Sequence, residues 1–541
     1  MFPKNRIDFK RVIAITTTYI LILIVLIVKL VILQISPSEN VSTEMNNYQK
    51  ENISQMNYRI FDTKGRDVLD YNKKYIVILD TKPFMLNNYE ETLEDLMALN
   101  FILKSEIKDF NYSDIMKGDG KVYYTVNEET FNKVNKLTNI KGIYTYIYDE
   151  VDTKEAWSTN SILSNINGKN IILGSLESEL YEYIKNNDYP MAKFYLDDKA
   201  LYGDGVLSLG DNNRNIKLTI DLEWEKVIKD ILKKEQYSFL KNIGVVVSDA
   251  ETGKIRAMVQ KDETEANVNL GIEQLGYEPG SIFKVVTETV ALDMGLITTS
   301  DIFRCTGEIC MKDGKPHGHG DLSVEDALKV SCNDVFAKVG AKIGYGNMMK
   351  YLESLGMFNE VLNVNGDNRK EASGVKPTEE NSMNNISIGQ TIIATPIQMS
   401  ALYNTIANKG IYIKPTIVEE ILDKDDNIIN TFKNNSKRVF SETSSEIAME
   451  SLHKVIWEGS GFEAKVKDAE VGGKTGTSTG NGGTNHGWFA GYFVKDNKKY
   501  TIVVIAPNIG EKHPDGRELG GGNTGAPIFS DVVSEILKLN R

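Results

Sequence analysis

The sequence predicts an α+β fold, an antiparallel sheet covered by helices, from two hairpin patterns and the helical stretches around them. In the first pattern, the apolar runs Ile243–Ser248 and Lys254–Gln260 are joined by a short polar turn that ends in glycine. The second pattern joins Gly487–Val494 to Tyr500–Ala506 through another polar turn. Apolar runs joined by polar turns are typical of paired strands. Mostly helical patterns lie between the hairpins, and the amphipathic stretch Pro527–Leu539 predicts a last helix, so the strands have helices to pack against.

Composition and charge narrow the class of protein. The chain has 541 residues, of which 41% are hydrophobic and 25% are charged, and its formal net charge is -13. This is ordinary globular composition, and the length suffices for two or three domains. Because the strongly basic footprint of a nucleic-acid-binding protein is absent from the sequence, we expect no nucleic-acid partner.

The N-terminus carries the pattern of a membrane anchor. Val12–Ile35 is nearly all apolar, and its roughly 24 residues, at about 1.5 Å each, match the hydrocarbon layer of a bilayer. Basic residues precede it, namely Lys4, Arg6, Lys10 and Arg11. By the positive-inside rule, we expect a cytoplasmic tail at 1–11, one transmembrane helix at 12–35 in the cell membrane, and an extracytoplasmic remainder. A cleaved signal peptide is the alternative, but its apolar core would be shorter, and Gln34–Ser38 is a poor cleavage site.

Residues 36–215 and 216–541 form two distinct regions of the sequence. The first begins with a polar linker and then mixes strand-like and helical patterns, with no cluster of reactive side chains. It predicts a mixed α/β scaffold, with strands at Ile76–Asp80 and Ile143–Tyr148 and helices at Tyr89–Leu103 and Leu176–Lys185. The second region begins with a strand at Lys217–Asp221 and contains both hairpins.

A serine and a lysine in the second region form the first motif with chemical meaning. Ser281 follows Pro-Gly at the start of a predicted helix, and Lys284 comes three residues later. On a helix the two side chains share a face, so the lysine can take the serine proton if its pKa is lowered by burial. Alone the pair is a weak signal, because an N-capping serine gives the same pattern.

Two further motifs follow along the chain. Ser331–Asn333, which reads Ser-Cys-Asn, lies in a helical segment predicted over Val324–Ile343, and Lys474–Thr477 reads Lys-Thr-Gly-Thr. In the last motif, glycine lets backbone approach a ligand closely, while lysine adds a charge and the threonines add hydroxyls. A phosphate-binding loop is the rival interpretation of Gly-Lys-Thr, but that motif needs a glycine where this chain has Asp468.

In this order, the three motifs resemble the set found in penicillin-binding proteins and serine β-lactamases. The wider likeness is to class B penicillin-binding proteins, the monofunctional peptidoglycan D,D-transpeptidases, and it covers almost all of residues 216–541. Glu278–Lys284 is close to the family's Pro-Gly-Ser-Thr-Phe-Lys, and Gly487–Gly491 matches its strand after Lys-Thr-Gly-Thr. Arg59–Gly65 resembles a degenerate version of the family's pedestal motif. The resemblance therefore implies a linker and pedestal (dimerisation-like) domain at 36–215, followed by the transpeptidase domain.

The resemblance implies a catalytic role for five residues. Ser281 would attack the carbonyl between the two D-alanines of a donor stem peptide and release D-alanine, while Lys284 takes its proton. Ser331 would relay a proton toward the leaving amine, with Lys474 nearby. Asn333 would bind the substrate amide and orient Lys284. An amine of a neighbouring stem peptide would then take the acyl group, forming the cross-link.

The resemblance also implies substrate contacts and partners. Thr475, Gly476 and Thr477 would bind the substrate, the two threonines holding its carboxylate, and the backbone N–H groups of Ser281 and Thr477 would form the oxyanion hole. β-Lactams would mimic the donor and trap Ser281. Expected partners are a membrane glycosyltransferase and divisome, elongasome or sporulation proteins. Two alternatives stay open: a membrane-anchored β-lactamase or β-lactam sensor, and a catalytically silent scaffold for wall synthesis.

A stretch ahead of the second motif predicts a structural zinc site, although catalysis itself would need no cofactor. Two thiolates and two imidazoles can complete a tetrahedral zinc shell, and four such residues lie close together in the chain: Cys305, Cys310, His317 and His319. Asp313 or Asp321 could replace one histidine. Two alternatives stay open, a Cys305–Cys310 disulfide or a solvated loop with neither. For Cys332, inside the Ser-Cys-Asn motif, the sequence favours a packing role.

Overall fold

The structure is a computed structural model that describes residues 9–35, 47–152, 158, 163, 166, 171–312, 315–366, 369–480, 483–510, 512–513 and 516–539. The chain divides into two compact units. The first comprises Met1–Met56, Tyr71–Glu150 and Asp188–Gly210, and the second comprises Asn57–Asp70, Val151–Asn187 and Asp211–Arg541. Two segments that precede residue 216 thus belong to the second unit, and the predicted domain assignments stay predictions.

The α-helices of the described residues are, in chain order, α1 (Phe9–Ile35), α2 (Thr81–Phe84), α3 (Tyr89–Lys104), α4 (Tyr112–Ile115), α5 (Glu128–Val134), α6 (Leu176–Ile184), α7 (Leu222–Leu232), α8 (Lys284–Asp293), α9 (Val324–Lys329), α10 (Asn333–Ile343), α11 (Tyr345–Ser354), α12 (Met383–Ser387), α13 (Pro396–Ala407), α14 (Glu442–Glu458) and α15 (Gly525–Lys538). Single 3-10 turns lie at Glu235–Tyr237, Gly280–Phe283 and Phe462–Ala464.

The strands are β1 (Tyr48–Asn52), β2 (Ile60–Phe61), β3 (Tyr71–Asp80), β4 (Lys121–Val126), β5 (Ile143–Val151), β6 (Met191–Tyr195), β7 (Val206–Ser208), β8 (Arg214–Leu218), β9 (Gly244–Asp249), β10 (Ile255–Gln260), β11 (Ile302–Cys305), β12 (Met311–Lys312), β13 (Lys315–Pro316), β14 (Gly320–Ser323), β15 (Asn365–Gly366), β16 (Arg369–Lys370), β17 (Ile411–Ile413), β18 (Val418–Asp423), β19 (Ile428–Thr431), β20 (Ser436–Arg438), β21 (Val471–Thr479), β22 (Asn485–Lys495) and β23 (Lys498–Ile509).

Helix α1 covers the stretch predicted as a membrane anchor. Its side chains from Ile13 to Lys29 are exposed. Among the described residues, no helix combines the length and the apolar character that crossing a membrane requires. The anchor stays a prediction, and so does the cytoplasmic tail, most of which lies outside the described residues.

The first unit is mixed α/β. It contains two three-stranded sheets, one in the order β1-β6-β7 and the other in the order β4-β3-β5. Val77 and Leu79 of β3 are buried together with Leu96 and Leu99 of α3, because both elements turn an apolar face to a common core. The strands predicted at Ile76–Asp80 and Ile143–Tyr148 and the helix predicted at Tyr89–Leu103 are present as parts of β3, β5 and α3.

A five-stranded antiparallel sheet in the order β10-β9-β23-β22-β21 is the centre of the second unit. Both predicted hairpins are confirmed, as β9–β10 and β22–β23. Gly253 ends the first turn with φ of +70°, and the second turn uses Asp496 and Asn497 at φ of +51° and +60°. A second sheet in the order β19-β18-β8-β2 pairs β2, from the predicted pedestal motif, with β8.

Helices cover both faces of the five-stranded sheet. Alternate residues of a strand point to opposite faces, so Trp488 and Ala490 of β22 contact one core while Phe489 and Phe493 contact the other. Helices α8, α10, α13 and α14 contribute to the first core, and α7 and α15 contribute to the second. The observed architecture is therefore the predicted one, an antiparallel sheet with helices packed on it.

Candidate active site

Ser281 lies in the 3-10 turn Gly280–Phe283, which leads directly into α8. The turn packs on strand β21 through two glycines. Gly280 has φ of +56°, and a Cβ there would lie 2.5 Å from the carbonyl oxygen of Thr477. A Cβ at Gly476 would lie 2.8 Å from the carbonyl oxygen of Pro279. The glycines therefore allow the backbone next to Ser281 to approach the strand.

The Lys284 ammonium group joins the first two motifs. Its Nζ donates to Ser281 Oγ at 2.9 Å and to Asn333 Oδ1 at 2.6 Å. It also donates to the Ser331 carbonyl oxygen at 2.7 Å and to Ser331 Oγ at 3.1 Å. The side chain is fully buried. The structure thus brings together the four residues that the sequence picked out in these motifs.

Ser331 stands at a break between α9 and α10. The sequence predicts one helical segment over Val324–Ile343, and this prediction is wrong at Ser331, whose φ is +58°. Such a conformation costs a non-glycine residue about 1–3 kcal/mol. Hydrogen bonds from Ser331 N to Leu328 O and from Cys332 N to Ala327 O hold it in place. The hydroxyl of Ser331 contacts two buried lysines.

Lys474 is the second of these lysines, on the edge strand β21. Its Nζ donates to Ser331 Oγ at 3.0 Å, to the Thr475 carbonyl oxygen at 3.0 Å and to Thr475 Oγ1 at 3.3 Å. Thr475 is nearly buried, whereas Thr477 is exposed and accepts a hydrogen bond from Gly521 N at its Oγ1, 3.2 Å away. All three motifs therefore meet around one cleft at the edge of the sheet.

Burial sets the charge states of the two lysines. It lowers the pKa of Lys284 to about 7, with Cys332 and Cys310 acting in the opposite direction. Burial, together with the charge of Lys284, also lowers the pKa of Lys474 well below its ordinary value. Two buried ammonium groups on one serine hydroxyl repel each other, so the site favours states in which at least one lysine is neutral and can accept a proton.

The predicted metal-binding stretch lies against the N-terminus of α10. The candidate ligand atoms of Cys305, Cys310, His319 and Cys332 all lie within 4.8 Å of one another. Cys310 Sγ is 3.7 Å from Cys305 Sγ and 3.6 Å from Cys332 Sγ, and His319 Nδ1 is 3.4 Å from Cys305 Sγ. A tetrahedral ion with metal–sulfur bonds of about 2.3 Å separates its sulfurs by about 3.8 Å. The spacing of the four residues fits such an ion.

The structure changes one member of the predicted ligand set. The sequence predicted His317 as the fourth ligand, but in the structure Cys332 takes that place in the group. The His317 ring instead packs edge-on against the His319 ring, with centroids 5.1 Å apart. The cysteines are free thiols, so the Cys305–Cys310 disulfide is absent from the structure. The proposed substitute Asp313 lies outside the described residues. Sequence spacing missed Cys332 because it is distant from the other cysteines in the chain and reaches them only through the fold.

The α10 N-terminus favours charged sulfur in this cluster. Asp334 N donates to Cys310 Sγ and Val335 N donates to Cys332 Sγ, each at 3.5 Å. Backbone N–H groups at a helix start stabilise thiolates, the form that binds metals. Burial, together with the neighbouring Cys310 and Cys305, raises the pKa of the Cys332 thiol, so this thiol would release its proton on coordinating a cation.

A comparison with protein families gives a match over the region that contains this cleft. The family model described as penicillin binding protein transpeptidase domain matches residues 243–534, more than half of the chain. Ser281, Ser331 and Lys474 all lie within the matched residues.

Two curated proteins illustrate the likeness in sequence. "Penicillin-binding protein PbpB" of Mycolicibacterium smegmatis is 26% identical over 380 residues, which span 62% of this chain and 57% of that protein. "Peptidoglycan D,D-transpeptidase FtsI homolog" of Mesostigma viride is 27% identical over 378 residues, which span 60% of this chain and 62% of that protein. The chain thus spans about three fifths of the length of these curated relatives.

Among solved structures, Penicillin Binding Protein 2X from Streptococcus thermophilus aligns with a TM-score of 0.65 at 17% identity. The alignment covers 91% of this chain and 80% of that one. At this identity the likeness concerns the fold, and it confirms the fold predicted for the larger part of the sequence.

Proposed function

We propose that this chain, which belongs to the penicillin binding protein transpeptidase domain family, is a class B, serine-type peptidoglycan D,D-transpeptidase. Ser281 is acylated by the D-Ala-D-Ala end of a stem peptide, D-alanine leaves, and the acyl group passes to an amine of a neighbouring stem peptide. One observation carries the proposal: Lys284 Nζ lies 2.9 Å from Ser281 Oγ and bonds to Ser331 and Asn333.

In the acylation step, Ser281 Oγ bonds to the carbonyl carbon between the two D-alanines while its proton passes to Lys284. A buried lysine with a pKa near 7 is neutral in a sufficient fraction of molecules to act as this base. The backbone N–H groups of Ser281 and Thr477 bind the developing oxyanion, and the close approach at Gly280 supports that pairing. Loss of one such donor typically slows a reaction by about a hundred- to a thousandfold.

Collapse of the tetrahedral intermediate breaks the carbon–nitrogen bond and needs a proton on the leaving amine. The Ser331 hydroxyl gives up its proton to that amine and regains one from Lys284, which holds the proton taken from Ser281. The donor carboxylate lies at the hydroxyls of Thr475 and Thr477. An acceptor amine then attacks the acyl-enzyme carbonyl, its proton returns to Ser281 Oγ through Lys284, and the Ser281–acyl bond breaks.

β-Lactams provide the test, because they acylate the same nucleophile. Mass spectrometry of the penicillin-treated full chain should find the adduct on Ser281, and Ser281→Ala should carry none. Ser530→Ala, a substitution on α15, is the matched control and should be labelled like the parent. An adduct that persists for hours and D-alanine release from a donor peptide support the transpeptidase. Turnover within seconds would identify a β-lactamase, and equal labelling of Ser281→Ala would overturn the assignment.

We place the chain in the cell membrane, with its N-terminus in the cytoplasm and its catalytic unit outside. The apolar run Val12–Ile35 and the basic residues before it support this location. There it would work beside a membrane glycosyltransferase and with divisome, elongasome or sporulation proteins. Protease treatment of intact spheroplasts should remove the catalytic unit, and full protection of that unit would contradict the proposed orientation.

Cys305, Cys310, Cys332 and His319 hold, in our proposal, a structural zinc ion. The sulfur–sulfur distances of 3.6 and 3.7 Å and the two backbone N–H groups that donate to sulfur support it. Because Cys332 directly precedes Asn333, the ion would fix the start of α10 and with it the amide that contacts Lys284.

Elemental analysis of the full chain, purified without chelators, tests the metal site. We expect about one zinc ion per chain and a lower melting temperature after the metal is removed, since a structural zinc contributes directly to folding free energy. Protein without bound zinc that also fails to take it up from solution would overturn the site.

A further inference from the structure

Helix α3 of the first unit has two apolar faces. One face packs into the core of that unit through three fully buried residues, Leu96, Leu99 and Leu103. On the outer face, Leu93 exposes 44% of its surface, Met97 exposes 61% and Phe101 exposes 81%. A single exposed apolar side chain is ordinary, but a continuous group of them marks an interaction surface. The outer face of α3 therefore has the character of a contact surface.

The exposed residues of this face form a row along the helix, called here the outer row. They follow one another at intervals of three or four residues, so they share one side of the helix. The row consists of five exposed residues, Glu90, Leu93, Met97, Phe101 and Lys104. Its spacing is symmetric about Met97, because Leu93 and Phe101 each lie four residues away and Glu90 and Lys104 each lie seven residues away. The outer row thus has an apolar middle, an acidic end and a basic end.

This symmetry makes the outer row complementary to itself. In an antiparallel pair of α3 helices with a twofold axis at Met97, Leu93 of each copy faces Phe101 of the other. Glu90 of each copy then faces Lys104 of the other, so opposite charges meet at both ends of the apolar contact. Parallel packing would instead bring Glu90 to Glu90 and Lys104 to Lys104, and like charges repel. The charge pattern therefore favours a second copy, packed antiparallel.

The charged groups of the outer row are available for such a contact. Within the part of the chain that the structure describes, the side chains of Glu90 and Lys104 form no ion pair, and both are exposed. Neighbouring exposed residues strengthen the asymmetry, since Glu91 and Glu94 add negative charge at the start of α3 and Lys108 adds positive charge just beyond its end. In an antiparallel pair the helix dipoles also oppose each other, which is favourable.

We propose that α3 is the contact surface of a homodimer, in which two copies of this chain pack antiparallel through the outer row with Met97 at the twofold axis. This association goes beyond the proposed enzymatic function and requires none of its residues. One pair of helices buries less surface than the roughly 1,200–2,000 Å² of a typical stable complex. The dimer should therefore be reversible and dissociate on dilution.

Cross-linking through introduced cysteines tests the arrangement in the full chain, kept in a nonionic detergent. The residue at the axis meets its own copy, so a short bismaleimide should join Met97→Cys into a dimer. Glu91→Cys, exposed on a different side of α3, is the matched control and should stay monomeric. The parent should do the same, because its own cysteines are buried. A mixture of Leu93→Cys with Phe101→Cys should cross-link more readily than Phe101→Cys alone.

Charge reversal tests the pairing at the two ends of the outer row. Glu90→Lys should raise the dissociation constant of the dimer about tenfold, because it turns two attractive contacts into repulsive ones. Lys104→Glu should have the same effect. The double variant Glu90→Lys/Lys104→Glu restores opposite charges and should dimerise like the parent. Sedimentation equilibrium gives the dissociation constants, and an unchanged melting temperature shows that each variant is folded.

Several results would overturn the dimer. A parent that stays monomeric at every concentration would do so, even if the outer row captured a different protein. Equal cross-linking of Met97→Cys and Glu91→Cys would place the contact elsewhere. Readier cross-linking of Phe101→Cys alone than of its mixture with Leu93→Cys would replace antiparallel by parallel packing. A double variant that remains as weak as the single ones would show that the charges do not pair.

Discussion

Gly280 and Thr477 contact each other through their backbones, so closely that a Cβ at Gly280 would stand 2.5 Å from the Thr477 carbonyl oxygen. This contact sets the distance between the turn that carries Ser281 and the strand that lines the cleft. The two N–H groups proposed for the oxyanion hole come from these two elements. The distance between these groups therefore depends on residue 280 being a glycine, which has no side chain.

Gly280→Ala should therefore slow acylation by a fluorescent penicillin about a hundredfold, because a misplacement of about 1 Å at a reacting centre has an effect of that size. Gly295→Ala is the matched control: Gly295 also has a positive φ, +66°, but nothing lies within 4 Å of its Cβ position. This control measures the effect of placing alanine at a positive φ where its Cβ meets no neighbouring atom. Equal labelling rates for the two variants would mean that the contact does not set the geometry.

Acylation should depend on pH through Lys284. Burial lowers its pKa to about 7, and only the neutral amine can take the Ser281 proton. The labelling rate should therefore rise about tenfold per pH unit below pH 7 and level off above it. Rates measured from about pH 5 to about pH 9, with circular dichroism to confirm folding, check this. A rate that stays constant across that range would contradict the role of Lys284 as base.

Asn333→Asp should shift that profile upward. The new carboxylate would replace an amide oxygen 2.6 Å from Lys284 Nζ, and a neighbouring negative charge favours the ammonium form, raising the pKa of Lys284 by about 1–3 units. Asn333→Ala removes the acceptor without adding a charge and serves as the comparison. If the midpoints of the pH–rate profiles of Asn333→Asp and Asn333→Ala shift equally, the added charge is not the cause of the shift.

Glu288 should make stability depend on pH. It lies one turn after Lys284 on α8, buried, and accepts a hydrogen bond from Ser451 Oγ at 3.0 Å; within the described residues its Oε2 has no partner. Burial raises the pKa of Glu288 from 4.5 to about 8. The unfolded chain releases this proton first, so the folded state loses stability as pH rises between those two values, by about 1.4 kcal/mol per pH unit.

Glu288→Gln keeps the size of the side chain and its contact with Ser451 but cannot ionise. We expect a higher melting temperature than the parent near pH 8 and an equal one near pH 4.5, measured by calorimetry. Glu446→Gln, an exposed position on α14, is the control and should change neither value. A loss of stability for Glu288→Gln at both pH values would contradict a neutral Glu288 in the folded protein.

His319 and His317, the two histidines beside the proposed zinc site, should differ in their effect on zinc binding. His319 belongs to the ligand group and His317 does not, so dialysis against a competing chelator should strip zinc from His319→Ala and Cys332→Ser more readily than from His317→Ala. Zinc per chain is measured after each step. Retention in His319→Ala and loss in His317→Ala would favour the ligand set expected from the sequence instead.

Local patterns predicted the parts of this fold that local interactions build. Each hairpin joins neighbours in the chain, and the polar turns at Gly253 and at Asp496–Asn497 favour the backbone that the strands need. The central pairing of β9 with β23 joins distant parts of the chain, and no periodicity in the sequence indicates its register. The same holds for β2, which leaves the N-terminal region to pair with β8.

Within the site, residue types were predictable and their environment was not. The order of the motifs predicted that Ser281, Lys284, Ser331 and Lys474 act together, because each motif offers a chemically necessary group. The helix break at Ser331 was missed, since Ser331–Asn333 lies in a run of helical pattern and tertiary contacts impose its positive φ. Cys332 was assigned to packing because only the fold places it near Cys310.

The inner position of β9, between β10 and β23, has a consequence for folding during synthesis. Its neighbour β10 follows directly in the chain, but its other neighbour β23 is synthesised on the order of 250 residues later. Contacts between such distant parts of a chain make folding slower, and they leave strand edges unpaired for longer. Until the last strands emerge, an apolar strand edge lies open to other chains. A truncation before β23 should therefore yield aggregates, however intact the serine motif.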